Sequence, residues 1–449
     1  MRSYDFLAIG GGNAGLTAAS MVAATGRRTA LVDRGAIGGL CSLNGCNPKK
    51  VLVRSTELLD EIRHAAKFGI EVAEPRIDWP RVIDRKESFT NSVTPAAEAS
   101  LKGQGVDLIQ GSPRFVSRNA LEVNGERIEA GSVIIATGST PRPLGFEGAE
   151  LVKTSDDILA LRKVPDDLVI IGAGVVAMEF GQVFARLGAR VKILTPGKQA
   201  LSGEDEEMVA ALIEFSAGLG IEFVFQSKVK ALRKQGEDLT LEFHADGKAQ
   251  TIRADFVLNA AGRVASISDL ALDKAGVETD RRGVVVNEYL RSPSNPDIFA
   301  AGDAHGRLQL SPIASYEGRV AAKNFIEGDT ERVNYDAIPR AVYTVPPLAS
   351  VGLTEAEARQ RGLDVKVVSS NMEGWKVYAI IQGGEVARAK IIIENGSGRI
   401  VGAHLYGGAA GENINLFGLA MRFNIKADDL KQMVYAYPTL GSALPYLFG

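Results

Sequence analysis

The chain carries two cysteines, Cys41 and Cys46, in the stretch Gly39-Leu40-Cys41-Ser42-Leu43-Asn44-Gly45-Cys46-Asn47-Pro48-Lys49-Lys50. In a long chain otherwise free of cysteine, such a pair reads as redox or metal chemistry before it reads as a structural staple. The spacing is i to i+5. In a regular α-helix that separates the Cα atoms by about 8.6 Å, whereas a disulfide needs roughly 4.4–6.8 Å. If the two bond, the helix between them must be broken, and Gly45 is the residue that can take the distortion. Pro48 suits the first turn of a following helix. Cys46 then sits at a helix N-terminus, where the dipole favours thiolate, and Lys49 and Lys50 add positive charge. Two inert, buried cysteines are the bland alternative. A zinc half-site is disfavoured, because the histidines (His64, His244, His305, His404) are scattered and no second CxxC or HxxxH exists.

The elements around the pair point to dinucleotides. Residues 5–9 form an apolar strand, followed by Gly10-Gly11-Gly12-Asn13-Ala14-Gly15, a helical pattern to about Ala24, and a strand from Arg27 to Val32 ending at Asp33. This is G-x-G-x-x-G in its strand–turn–helix context, with the acid that hydrogen-bonds a ribose at the expected distance. Gly10, Gly12 and Gly15 let backbone N–H groups approach a pyrophosphate. Counted from Gly38, the cysteine stretch begins five residues beyond Asp33. A second fingerprint, Gly172-Ala173-Gly174-Val175-Val176-Ala177, follows a strand at Leu168–Ile171 and precedes a helix to about Leu187 and a strand at 189–194. Where the first unit has Asp33, the second has Thr195, with Lys198 just beyond. The missing acid tilts this site toward NADPH, with NADH as the alternative.

Further apolar strands end in small-residue turns at Val133–Ser139, which includes Thr137 and Gly138, at Phe256–Gly262 and at Ile298–Asp303. Val51–Phe68 and Pro80–Leu101 read as helical. From Tyr335 the texture becomes α+β: strands at Val342–Thr344, Ala349–Gly352 and Ala389–Ile393, a capped helix at Thr354–Arg361 with Glu357 in the box position, and helices at Phe417–Phe423 and Asp428–Tyr435. The composition excludes other classes. Net charge is −3, which offers no general basic surface to nucleic acid, and no uncharged apolar run of 18 or more is present for a membrane span. No secretory signal is visible, so a cytoplasmic location is the default expectation.

With these pieces placed, the chain resembles the FAD-dependent pyridine nucleotide–disulfide oxidoreductases, a family that includes glutathione reductase, dihydrolipoamide dehydrogenase and mercuric reductase. The resemblance rests on the Gly10 fingerprint, the Gly39–Lys50 stretch, Ala136-Thr137-Gly138, the Gly172 fingerprint, Ala261-Gly262-Arg263 and Ile298-Phe299-Ala300-Ala301-Gly302-Asp303, all in family order. It implies an α/β fold of two Rossmann-like domains plus a C-terminal α+β dimerisation domain. The divisions are 1–145 with 264–333 for FAD, 146–263 for NAD(P), and 334–449 for dimerisation. It implies that Gly10, Gly12, Gly15, Asp33, Gly39, Thr137, Gly138 and Asp303 serve FAD, with Asp303 on the ribityl chain. Gly172, Gly174, Ala177, Thr195, Lys198 and Gly262 serve the pyridine nucleotide. Lys50 and Glu179 form the buried ion pair beside the flavin, Cys46 is the thiol that contacts the flavin and is held as thiolate, and Cys41 exchanges with substrate. A homodimer with a shared active site is implied.

The resemblance breaks at the C-terminus. The family's His-Pro-Thr and following glutamate supply an acid–base pair; here Tyr437 replaces the histidine and Ser442 the glutamate. Tyrosine titrates near 10 and histidine near 6.5, so Tyr437 is a hydrogen-bond donor rather than a base at neutral pH. Leu40 and Lys49 also depart from the usual threonine and serine or threonine, and Lys49 suggests an anionic substrate. Three readings follow. The first is reduction of a small disulfide or related sulfur acceptor. The second is a metal-ion (mercuric-type) or quinone reductase, although the cysteine pair that mercuric reductase carries at its C-terminus has no counterpart here. The third is a non-turnover redox sensor or a subunit of a sulfur-handling complex.

Overall fold

A computed structural model of the chain describes residues 2–236 and 238–448. Strand β1 (Arg2–Ile9) lies at the centre of the first sheet, with Phe6 to Ile9 buried. It pairs in parallel with β2 (Thr29–Asp33) on one side and with the strand Glu126–Ile135 on the other. The strand Ile298–Ala300 joins the same sheet, parallel to Glu126–Ile135, so chain from far downstream completes it. Helix α1 (Asn13–Ala23) crosses between β1 and β2. The crossing is tight: a Cβ on Gly15 would lie 1.9 Å from Gly10 O.

A second parallel sheet combines Asp167–Ile171, Arg190–Leu194, Glu222–Val224 and Phe256–Asn259. Beside it lies an antiparallel sheet of Lys228–Gln235, Asp238–Ala245 and Lys248–Ala254. Its second turn is Asp246-Gly247, both with positive φ, the pattern of a tight hairpin. A five-stranded antiparallel sheet follows, in the order Arg340–Val342, Leu348–Gly352, Ile400–Tyr406, Arg388–Glu394, Val365–Asn371. The helix Ala410–Arg422 packs on it through Ile414, Phe417 and Ala420. Thr354 and Glu357 form the expected capping box.

Two expectations are corrected. The run Pro80–Leu101 is two helices, Trp79–Thr90 and Val93–Gly103, parted at Asn91-Ser92. The strand expected at Val342–Thr344 ends at Val342. Beyond it the backbone turns to the helix Val175–Arg186: Tyr343 N donates to Glu179 Oε1 at 2.7 Å and Val345 N to Gln182 Oε1 at 2.8 Å. Those N–H groups are committed to side chains and cannot extend a sheet ladder.

Candidate active site

The cysteine stretch folds as a broken helix. Helix α2 (Gly39–Asn44) carries Cys41, and helix α3 (Cys46–Arg63) starts at Cys46, with Gly45 between them at φ −141°, ψ −118°. A Cβ on Gly45 would lie 2.8 Å from Leu40 O, so the break is packed closed. Pro48 is buried in the first turn of α3. The stretch is pinned to the first fingerprint by Gly38 N donating to Gly11 O at 2.8 Å. Gly39 meets Gly12 so closely that a Cβ on Gly39 would come within 2.4 Å of Gly12 Cα. The nucleotide loop and the sulfurs are thus one unit.

Both thiols are free and share a side-chain hydrogen bond. That shared proton decides their acidity. Cys41 is pulled from the ordinary 9.0 down to about 6, first by the S–H of Cys46, then by Ser311 and the charge of Lys49, against the cost of burial. Cys46 is pushed up, first by its bond to Cys41, then by burial and by the Cys41 and Glu179 charges. The chain's own groups favour the charge on Cys41, whereas the resemblance assigns the thiolate to Cys46 beside the flavin. Cys46 begins α3 and is the donor in this bond. Ser311, which begins the helix Ser311–Glu327, also accepts from Asn13 Nδ2 at 2.8 Å. Asn13 and Ser311 are site residues that sequence reasoning missed; nothing in their local pattern signals a neighbour some 300 positions away.

The ion pair is also corrected. Glu179, with a fully buried side chain, pairs with Lys49 and not with Lys50. Successive helical residues point about 100° apart, so only one of the two lysines can face Glu179. Lys50 turns outward, its Nζ 4.4 Å from the Tyr343 ring centroid. Lys49 is thus bound to Glu179 rather than held free for an anionic substrate.

The two fingerprint helices have ends suited to phosphate. Helix α1 and the helix Val175–Arg186 begin after Gly12 and Gly174, with no side-chain cap and no acid in the first turn. Their first N–H groups are therefore available to an anion. Elsewhere Asp78, Thr154, Asp205 and Thr354 occupy that role. Nothing would lie within 4 Å of a Cβ on Gly138 or Gly174, and Thr137 Oγ1 is buried without a partner. Asp33 ends β2 and accepts from Gly11 N at 2.5 Å and Gly35 N at 2.7 Å. Asp303 Oδ2 accepts from Ser139 Oγ at 2.6 Å, and burial holds its carboxyl above the usual range. Arg263, from the quoted Ala-Gly-Arg motif, donates to Ser139 Oγ at 2.9 Å and ties that motif to Asp303. These groups fit a flavin dinucleotide: a cradle without Cβ atoms, an orphaned hydroxyl, and two carboxylates at its ends.

In the second unit, Gly172 approaches Ala260 and Ala177 is fully buried. Thr195 follows the strand, buried, with Oγ1 accepting from Gly197 N at 3.2 Å. Lys198 is exposed and Gly262 has positive φ. Tyr437 lies apart from the cysteines' own elements and is 68% exposed, in a stretch where Val434 is 93% exposed. Among the described residues its hydroxyl makes no hydrogen bond, and no group of three His, Cys, Asp or Glu is placed to hold a metal.

Comparison with known proteins agrees with this geometry. Residues 4–318 match the family described as pyridine nucleotide-disulphide oxidoreductase, and residues 338–447 match its dimerisation domain. The chain is 32% identical to a dihydrolipoyl dehydrogenase of Chlamydia muridarum, over 98% of this chain and 95% of that one. It is 31% identical to a mercuric reductase of Bacillus cereus, over 98% and 70%. A solved structure, the Cu(II) complex of the HOCl-induced flavoprotein disulfide reductase RclA from Escherichia coli, superposes with a TM-score of 0.89 at 26% identity, covering 100% of this chain and 99% of that one. Among the described residues, no helix is long and apolar enough to cross a membrane. The chain therefore belongs to the pyridine nucleotide–disulfide oxidoreductases, and is an FAD- and pyridine-nucleotide-dependent flavoprotein with disulfide oxidoreductase activity and a dimerisation domain.

Proposed function

We propose that the chain draws electrons from NADPH and delivers them through Cys41 and Cys46 to a small disulfide or related sulfur acceptor, in a cytoplasmic homodimer. The observation that carries this is the hydrogen-bonded thiol pair at the helix break, with Cys41 down at about 6. When bound, FAD supplies two-electron exchange between the pyridine nucleotide and the sulfur pair. Gly10, Gly12, Gly15, Asp33, Gly39, Thr137, Gly138 and Asp303 would hold it, in a domain formed by 1–145 and 264–333. Gly172, Gly174, Ala177, Thr195, Lys198 and Gly262 would hold NADPH in 146–263.

Cys41 thiolate attacks one acceptor sulfur, forming a mixed disulfide and releasing the first thiolate, which takes a proton from solvent. Cys46 then loses its proton and attacks the Cys41 sulfur, forming the Cys41–Cys46 disulfide and releasing the second thiol. Tyr437, on the 334–449 domain of the other copy, can donate a hydrogen bond there but is a poor base. Acceptors whose leaving thiol is already acidic are therefore favoured over ordinary dialkyl disulfides.

A second reading, a soft metal ion as acceptor, is favoured by the RclA neighbour, which was solved as a Cu(II) complex. The test is an anaerobic acceptor screen with NADPH and NADH across disulfides, polysulfide, mercuric and cupric ions and quinones. Turnover is expected to be fastest with a sulfur acceptor and to vanish in Cys41→Ser. Faster turnover with a metal ion than with any disulfide would transfer the assignment to the second reading. Cys41→Ser turning over at the wild-type rate would sink both.

A further inference from the structure

The loop that carries Thr195 and Lys198 is held from outside its own domain. It runs over residues 195–204, from the end of the strand Arg190–Leu194 to the start of the helix Glu206–Gly218. Within the domain it is tied by backbone bonds. Ser227 N donates to Thr195 O at 2.9 Å and Gln226 N to Gly197 O at 3.0 Å. Leu201 N donates to Ala173 O, inside the Gly172 fingerprint, at 2.9 Å. Leu201 has φ +46°, in the left-handed region that a residue with a side chain rarely adopts. Glu204 N closes the turn onto Leu201 O at 2.8 Å. The turn Leu201–Glu204 therefore sets where the loop meets the fingerprint.

We propose that Arg340 is a positioning residue for the pyridine nucleotide: it reaches over from the dimerisation domain and fixes this turn against the fingerprint. Arg340 begins the strand Arg340–Val342, within the dimerisation domain. Its Nε donates to Glu204 Oε1 at 2.6 Å and its Nη2 to Gly203 O at 2.9 Å. One guanidinium thus grips a side chain and a backbone carbonyl of the same turn, which its planar fork of donors allows and the point charge of a lysine does not. The other oxygen of Glu204 accepts from Ser350 Oγ, on the neighbouring strand Leu348–Gly352. The Glu204 side chain is 10% exposed. Both of its oxygens are spent on the dimerisation domain, so this carboxylate is an anchor for the loop and not a ligand for a ribose.

The helix that follows the loop is anchored separately. Ser350, His404 and Lys390 stand side by side across three strands of the dimerisation sheet. Lys390 Nζ lies 3.3 Å from Asp205 Oδ2 and 3.4 Å from Glu207 Oε2. Asp205 caps the helix Glu206–Gly218, accepting from Glu207 N at 3.2 Å. Loss of Arg340 therefore leaves the helix start in place and releases the turn before it. That turn is what connects the dimerisation domain to Ala173 and, through the loop, to Lys198. This role of Arg340 rests on the assignment of Thr195 and Lys198 to the pyridine nucleotide, and makes their placement depend on a second domain.

The test is calorimetric titration of the FAD-loaded protein with NADP+ and, separately, with 2′,5′-ADP, alongside steady-state kinetics. Arg340→Met is expected to raise Kd for both probes, and KM for NADPH, about fivefold or more, with kcat within about twofold. FAD content and the flavin absorption spectrum should be unchanged. Arg340→Lys keeps a cation beside Glu204 but loses the fork, and its Kd should fall between the two. Wild-type Kd for both probes in Arg340→Met, whatever its melting temperature, would overturn the proposal; if that variant does not fold, wild-type Kd in Arg340→Lys overturns it instead. Lys198→Glu is titrated in parallel. If it weakens 2′,5′-ADP binding while the Arg340 variants do not, only the role of Arg340 falls. If none of the variants moves Kd, the nucleotide assignment of the loop falls with it.

Discussion

Removing the S–H that Cys46 donates should deprive Cys41 of most of its acidity. The fall from 9.0 to about 6 has that one hydrogen bond as its first cause. At pH 6 a thiol of that kind is about half ionised, whereas one at 9.0 is ionised to about one part in a thousand. Intrinsic nucleophilicity works against this gain. With a Brønsted slope of about 0.4–0.5, three units cost roughly 15–30-fold in attack rate. The net advantage at pH 6 is therefore roughly 15–30-fold, and at pH 7 it shrinks to severalfold. The assay is the pH profile of attack by pre-reduced protein on an activated small disulfide, comparing Cys46→Ser, which keeps a donor, with Cys46→Ala, which does not. The serine variant should keep a low midpoint. The alanine variant should shift its midpoint upward and lose about tenfold or more at pH 6. Coincident profiles for the two variants would refute the shared-proton account, and so would mass-spectrometric detection of Cys46 as the thiol modified first in the wild type.

Three other outcomes are expected. Lys49→Met strands the buried Glu179 carboxylate, at a cost of about 3–5 kcal/mol. Lys50→Met removes only a partly exposed contact with Tyr343, worth about 0.5–1 kcal/mol; thermal unfolding should separate them in that order. Tyr437→His should raise turnover of dialkyl disulfides several-fold by restoring a base, as measured by steady-state kinetics, with no gain for acceptors whose leaving thiol is acidic. Lys198→Glu should raise KM for NADPH about tenfold or more relative to NADH, because a carboxylate repels a 2′-phosphate and accepts from a free ribose hydroxyl; unchanged selectivity would remove Lys198 from the nucleotide site.

What the sequence determined by itself is the local chemistry. Glycine spacing after an apolar strand dictates a tight turn into a helix with free N–H groups, and this holds at both Gly10 and Gly172. For the two cysteines to bond, the i to i+5 spacing required a broken helix, and the structure breaks it at Gly45. These features depend on neighbours a few residues apart, so a linear reading reaches them. The tertiary structure decided which groups face one another. The side of α3 that meets the Val175–Arg186 helix selects Lys49 over Lys50 for Glu179. The arrival of Ser311 from the far end of the chain, together with the donor role of Cys46, lowers the Cys41 thiol. The turn at Tyr343, set by Glu179 and Gln182, shortens a strand that propensity alone would extend. In each case the deciding energy is a long-range hydrogen bond or charge contact, whose partner is fixed by helix rotation and packing rather than by position in the chain.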